Sequence, residues 1–273
     1  MAHKTTKQMS NEFINEICSE KGILLESLSF GYVQRLTKDG VSKNIFGSFW
    51  DINSAASDRI ACDKTACYTL LAKSEIPAIA HKILFNPLRR IGRAGKNGAW
   101  ELATGFFKKH GKKVVLKPNQ GTQGMDIYLC QSIPELEAAA HAIFQNHPDA
   151  ALSPYKEIQN EYRVFYLNGE CRFVYGKEKG DTWQHNLTQG ATAFEIFDEE
   201  KTAKIKSLAT RAADCIGITF ATIDIAESPS GDLAIMEINS GVQCRHLLEQ
   251  LPHLRPTIKN IFADAINLLL GRI

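Results

Sequence analysis

The sequence predicts an α+β fold, and two observations carry that expectation. Strand-like apolar segments come in pairs joined by turn residues, at Asp39-Gly40, between Gly121 and Gly124, at Asn168-Gly169 and at "SPSG". Single stretches with helical spacing separate those pairs, the pattern of antiparallel or mixed sheets with helices on one face.

The elements follow in order. Residues 10–21 read as a helix, and "ILLESLSFGYVQRLTKDGVSKNIFGSF" reads as two strands turning at Asp39-Gly40. The stretch "SAASDRIACDKTACYTLLAKSEIP" has helical spacing and stops before Pro77. "AIAHKILF" reads as a strand, residues 87–98 as a loop rich in Gly and Arg, and "AWELATGFFKKHG" as a helix with its stop glycine. "KKVVLKPNQGTQGMDIYLC" reads as strand, glycine turn and strand. A helix follows in which Ser132 caps and Glu135 lies three later. "ALSPYKEI" is a strand, and "EYRVFYLNGECRFVYGKE" is a hairpin turning at Asn168-Gly169. After a polar loop over 178–192 come an acid-started helix, a second hairpin "ITFATIDIAESPSGDLAIMEIN", and the closing helix "RPTIKNIFADAINLLL".

Composition excludes several classes of function. The 273 residues carry 32 Lys and Arg against 30 Asp and Glu, so the net charge of +2 gives no ground for nucleic acid as a partner. No apolar run approaches the roughly 20 residues that span a bilayer. The opening "MAHKTTKQMSNEF" lacks the apolar middle of a signal peptide, so a cytoplasmic location with no membrane partner is expected. The seven cysteines are scattered and contain no CxxC, which argues against a zinc cluster or a disulfide framework.

Chemistry-bearing residues concentrate in the last hairpin. Glu237 and Asn239 lie two apart on a strand and point to the same face. A turn symmetric about Ser230-Gly231 sets Asp224 opposite Glu237. Three oxygen-bearing side chains on one face suit Mg²⁺, which completes its shell with water and phosphates. A solvated strand face is the alternative. There is no GxxxxGK[ST] and no GxGxxG after a strand, but "VVLKPNQGTQGMDI" ends an apolar strand on Lys117 and brackets a short polar turn with Gly121 and Gly124. Such a turn can offer N–H donors to phosphate; the alternative is a hairpin with a lysine at its rim. Lys64 follows Asp63 near a helix start, a place where most lysines are solvated.

Together these segments resemble the ATP-grasp superfamily. They occur in its order: "DKTACYTLLAKSEIP", "VVLKPNQGTQG", "YKEIQNEYRVFYLNG", "HNLTQGA", "ATIDIA" and "MEINSG". The resemblance covers about residues 55–270 and is closest to the branch of ribosomal-protein glutamate ligases, cyanophycin synthetases and glutathione synthetases. It implies two α+β lobes with ATP between them: a short, reduced N-terminal region over 1–55, an N-terminal lobe over 56–150 and a C-terminal lobe over 151–273. It implies an ATP- and Mg²⁺-dependent carboxylate–amine ligase that forms an amide or peptide bond through an acyl phosphate. The other readings are an ATP-grasp kinase and a non-catalytic nucleotide-binding scaffold. The substrate would be an amino acid or peptide, free or as a protein tail, and a homodimer is one possible assembly.

The resemblance also assigns roles. Lys64 and Lys117 would hold phosphates, beneath a loop formed by Gly121, Thr122, Gln123 and Gly124. Tyr155, Lys156, Glu157 and Ile158 would form the adenine hinge, and Glu161 would bind ribose. His185, Asn186 and Gly190 belong to a loop that closes over the γ-phosphate, and Asp224, Glu237 and Asn239 would bind Mg²⁺. The family's arginine before the loop's asparagine-leucine pair is replaced here, by Gln184 or His185, so charge stabilisation passes to Arg163, Lys177 or Arg245. His185 is a candidate proton acceptor for the amine. Arg245 either holds a substrate carboxylate or pairs with Glu249 at i+4. "NSGVQCRH" lacks the family's proline-glycine after the metal-binding asparagine. Arg89, Arg90, Arg93 and Lys96 form either a docking patch for acidic groups or a solvated loop.

Overall fold

The structure is a computed structural model that describes residues 6–87, 98–121, 125–180, 187 and 190–271, with side chains from Ser10 onward. It contains three antiparallel sheets, and no helix among the described residues is long and apolar enough to cross a membrane.

The N-terminal segment is more built than the sequence indicates. After helix α1 (Thr6–Lys21) come four strands, β1 (Leu24–Leu28), β2 (Val33–Lys38), β3 (Val41–Phe46) and β4 (Phe49–Trp50), in the order β1-β2-β3-β4. The turn at Asp39-Gly40 joins β2 to β3 as expected, with both residues at positive φ, the conformation of a tight hairpin. The two additional strands are short, and β1 keeps its side chains largely exposed, so neither leaves an alternating apolar signature.

The expected single helix after residue 54 is two: α2 (Ala55–Cys62) and α3 (Lys64–Lys73). Asp63 breaks it with extended backbone and accepts the Ala66 amide at 2.9 Å, capping the second helix. Strand β5 (Lys82–Phe85), helix α4 (Ala99–Lys109), strands β6 (Val114–Pro118) and β7 (Tyr128–Cys130), helix α5 (Ile133–Asn146) and strand β8 (Asp149–Pro154) follow. The strands form a sheet ordered β5-β8-β6-β7, with α4 and α5 completing its core. Ser132 caps α5 as expected.

The third sheet, β11-β10-β9-β12-β13, holds the site. Its strands are β9 (Asn160–Leu167), β10 (Glu170–Glu178), β11 (Thr192–Glu195), β12 (Phe220–Glu227) and β13 (Leu233–Asn239). Helix α6 (Glu199–Ile216) starts on its Asp198 cap and ends on Gly217 in the left-handed conformation. The short helix α7 (Arg245–Gln250) and the closing α8 (Arg255–Leu269) complete the chain.

The two faces of this sheet bury different partners. Ile223, Ile225, Ile235 and Ile238 face α6, together with Ala61, Cys67 and Leu71 from α2 and α3. Those two helices, expected in the N-terminal lobe, thus share a core with the C-terminal sheet. On the opposite face, Phe165, Leu167 and Phe220 pack with α1, α8 and the N-terminal sheet. Trp50 meets Phe220 edge-on at 5.3 Å, and Phe262 meets the same ring at 6.0 Å.

Asn53 ties the N-terminal segment to β12 by polar contacts. Its Oδ1 accepts the amides of Thr219 (3.0 Å) and Phe220 (2.8 Å), and its Nδ2 donates to the Phe220 carbonyl at 2.9 Å. Removing the amide leaves these strand groups unsatisfied, so Asn53→Ala should cost about 2 kcal/mol. Urea denaturation checks this; an unchanged midpoint would contradict it.

Candidate active site

Four strands of the five-stranded sheet each place one residue in a single cross-strand row: Tyr175 on β10, Arg163 on β9, Asp224 on β12 and Glu237 on β13. Asp224 opposite Glu237 is the pairing the sequence predicts, but the cause differs. Near the turn Ile225 pairs with Ile235, a register that would set Asp224 against Met236. A bulge at this point skips Met236 and delivers Glu237 instead. The alternation along β13 carries the trace: Leu233 and Ile235 are apolar, yet Glu237 and Asn239, at the same parity, are polar.

The row is the centre of a buried charge network. Asp224 is 2% exposed and takes both arms of the Arg163 fork, Nε at 2.7 Å and Nη2 at 2.6 Å. Lys177 donates to Asp224 at 3.2 Å and to Glu161, its cross-strand partner. Asn239 Nδ2 donates to Asp224 (3.3 Å) and Glu237 (3.2 Å), bridging the two carboxylates. Burial opposes ionisation of Asp224, but Arg163 and Lys177 outweigh it and hold the carboxyl far below the usual range. Burial opposes ionisation of Glu237 as well, and there Lys64 and Lys117 hold the carboxyl below its ordinary value. Burial raises Glu161, with Lys177 opposing.

Two lysines face this network from the other elements. Lys64, in the first turn of α3, donates to the Gly121 carbonyl at 3.0 Å and lies 3.7 Å from Glu237. Asn119, just beyond β6, places that helix start: its carbonyl accepts the Lys64 amide, and its Oδ1 accepts the Thr65 hydroxyl at 2.9 Å. Lys117, on β6, is 9% exposed, and its ammonium makes no hydrogen bond among the described residues. Burial lowers its pKa to about 8, with Glu237 opposing the effect and Lys64 adding to it.

The hinge residues Tyr155 to Ile158 form an irregular connection between β8 and β9, and so between the two sheets. Tyr155 donates its amide to the Lys113 carbonyl at 3.1 Å, and the Lys113 ammonium lies 3.8 Å from its ring centroid. Arg245 takes its alternative, pairing with Glu249 at 2.7 Å on its own helix. Thr122, Gln123, Gly124, Gln184, His185, Asn186 and the basic cluster from Arg89 to Lys96 lie outside the described residues. The neck of the 181–189 loop is described: a Cβ on Gly180 would stand 2.5 Å from the Gly190 carbonyl, so only glycine allows the two ends to meet there.

Three contributors lack a sequence signal. Tyr175 completes the row and is buried. His81 is buried beside Lys64 and Lys117, kept neutral by burial and by those lysines, and its Nε2 has no hydrogen-bond partner among the described residues. Ser48 packs on Gly241, where a Cβ would come within 3.0 Å of the serine Cβ. A bare backbone at 241 is therefore what lets the N-terminal sheet abut the site. Among the described residues no group of three or more His, Cys, Asp and Glu could hold a metal ion. The cluster offers two carboxylates and one amide, a donor set that fits a hard cation.

Residues 98–245, more than half of the chain, match the sequence model of an ATP-grasp domain, the third family of its clade. The chain belongs to the ATP-grasp family. Solved ATP-grasp structures show the same fold. The D-alanine–D-alanine ligase of Bacillus anthracis superposes with a TM-score of 0.59 at 15% identity, covering 80% of this chain and 71% of that one. The same enzyme complexed with ATP gives 0.61, covering 80% and 69%.

Curated relatives are more alike in sequence over shorter spans. A probable alpha-L-glutamate ligase of Aeromonas salmonicida is 28% identical over 135 residues, 48% of this chain and 43% of that protein. The alpha-aminoadipate–LysW ligase LysX of Saccharolobus solfataricus is 25% identical over 145 residues, 49% of this chain and 50% of its own length. The chain thus spans half or less of these two relatives.

The depressed Lys117 yields a prediction with a definite sign. Its folded pKa lies below the ordinary lysine value of 10.5, so the charged amine costs stability at all pH values below about 8, and that cost fades as pH rises toward 10.5. Lys117→Met should therefore raise the Tm of the nucleotide-free protein at pH 7 by several degrees. A lowered Tm would contradict this.

Proposed function

We propose that the protein is an ATP- and Mg²⁺-dependent carboxylate–amine ligase acting on an amino acid or peptide. The observation that carries this reading is the row Arg163, Asp224 and Glu237, faced by Lys64 and Lys117 from the other elements. It combines a hard-cation site with uncompensated positive charge, as phosphoryl transfer requires. The family and the relatives' names support the reaction class.

The residues divide the work by position. ATP phosphates take Lys117 and Lys64, adenine lies against the 155–158 connection, and Glu161 takes ribose hydroxyls. Asp224, Glu237 and Asn239 would hold magnesium, which neutralises phosphate charge when bound. The substrate carboxylate attacks the γ-phosphorus, the bond to the bridging oxygen breaks, and ADP leaves. Arg163 and Lys177, buried among carboxylates, keep the site positive enough to bear the transferring group. The amine lone pair then attacks the acyl carbon, a proton is lost, and inorganic phosphate departs to leave the amide. The chain's contribution is orientation and charge neutralisation.

Turnover separates this from its rivals. Phosphate release should require both a carboxylate and an amine, and hydroxylamine should trap the acyl phosphate as a hydroxamate. A phosphorylated product stable to hydroxylamine would mark a kinase, and no ATP binding by calorimetry with Mg²⁺ would mark a scaffold. Glu237→Gln should abolish Mg²⁺-dependent turnover while leaving the circular dichroism spectrum unchanged.

Lys117 supplies a pH test of the phosphate contact. Above pH about 8 its amine is largely neutral in the empty site, and phosphate restores the charge. ATP binding should then take up a proton and weaken as pH rises. Calorimetry in buffers of different ionisation enthalpy measures this, and zero uptake above pH 8 would remove Lys117 from the phosphate site.

A further inference from the structure

The outer face of the N-terminal sheet carries an apolar row that core packing does not use. Leu28 on β1 stands opposite Val33 on β2, Val33 opposite Phe46 on β3, and Phe46 opposite Phe49 on β4. Leu28, Phe46 and Phe49 are 44%, 61% and 40% exposed. At the β1–β2 turn, Ser29, Phe30 and Gly31 all have positive φ (49°, 56° and 79°), a conformation disfavoured for a bulky residue. It holds the Phe30 ring fully in solvent, beside an exposed Tyr32. The inner face of the same sheet buries Leu36, Ile45 and Trp50 in the core.

This row is continuous with the candidate active site. Phe46 and Phe49 flank the Gly47-Ser48 turn, and Ser48 is the residue packed on Gly241, two positions after Asn239. Strands lie about 4.8 Å apart, so the row runs about 14 Å from β1 to β4, the reach of about four extended residues. β1 is also an edge strand, with one side of its backbone unpaired within the sheet.

We propose that this row binds an extended peptide with apolar side chains, the non-reacting part of the substrate, and leads its reactive end past Ser48 to the carboxylate cluster. This rests on the ligase reading for what happens at the cluster, but binding is testable without turnover. A second copy of the chain would cover the row and leave the path along Ser48 unused, so self-association is the competing outcome. Exposed apolar patches of this kind mark binding surfaces more often than they mark folding requirements.

The test uses the full chain and two fluorescein-labelled pentapeptides, one with three central leucines and one with three central serines. Fluorescence anisotropy should show binding of the leucine peptide alone. The double variant Phe30→Ser/Phe46→Ser should weaken it by about tenfold or more, because hydrophobic anchors dominate such contacts. Both residues are exposed, so the variant should keep the wild-type Tm and its ATP-dependent turnover of free amino acids. Equal binding of both peptides, or full binding by the double variant, would overturn the proposal. So would a wild-type dimer by light scattering that the double variant converts to monomer. Leucine-peptide binding without any phosphate release would keep the docking row and sink the ligase reading instead.

Discussion

A buried carboxylate, Asp224, sets the terms for the rest of the structure. At 2% exposure it cannot stay ionised alone, because the protein interior does not replace the water it loses. Arg163 and Lys177 compensate it, and both are available only because β9 lies between β12 and β10. The strand order is therefore part of the site's electrostatics. A different neighbour for β12 would leave the acid uncompensated.

The same constraint explains how the sheet's faces are shared. One face is apolar throughout and rests on α6, α2 and α3. The other is polar at the Asp224 end and aromatic at the Phe220 end. The N-terminal segment covers the aromatic end and stops at Ser48 against Gly241. It therefore acts as a wall beside the site, held by Trp50, Asn53 and the contact at Gly241. The absence of the family's proline-glycine after Asn239 fits this arrangement, since the backbone there is shaped by its packing on the N-terminal turn.

Charge is distributed unevenly across the cleft. Arg163 and Lys177 are taken up by Asp224 and Glu161, and Lys64 is shared between Gly121 and Glu237. Lys117 pays for its burial with a depressed pKa, and its ammonium has no hydrogen-bond partner among the described residues. An ammonium held in that state gains most from a phosphate, because the ligand restores the interaction that burial removed.

What the sequence by itself determined is local and periodic. The spacing of Glu237 and Asn239 sets them on one face, the turn at Asn168-Gly169 fixes the β9–β10 hairpin, and Ser132 and Asp198 start their helices. Each of these follows from side-chain period or backbone preference within a few residues. The order of motifs also made the family legible before any coordinates. Tertiary structure alone decided what depends on distant neighbours. It split the helix at Asp63 so that Lys64 could face Glu237, and turned Arg245 to Glu249. It added Tyr175 and His81 to the site and brought Ser48 onto Gly241. It also reached the Asp224–Glu237 pair through a bulge at Met236 rather than a symmetric turn. The reason is common to all of these: a strand's period fixes which face a residue takes, but only the packed sheet fixes what stands opposite it.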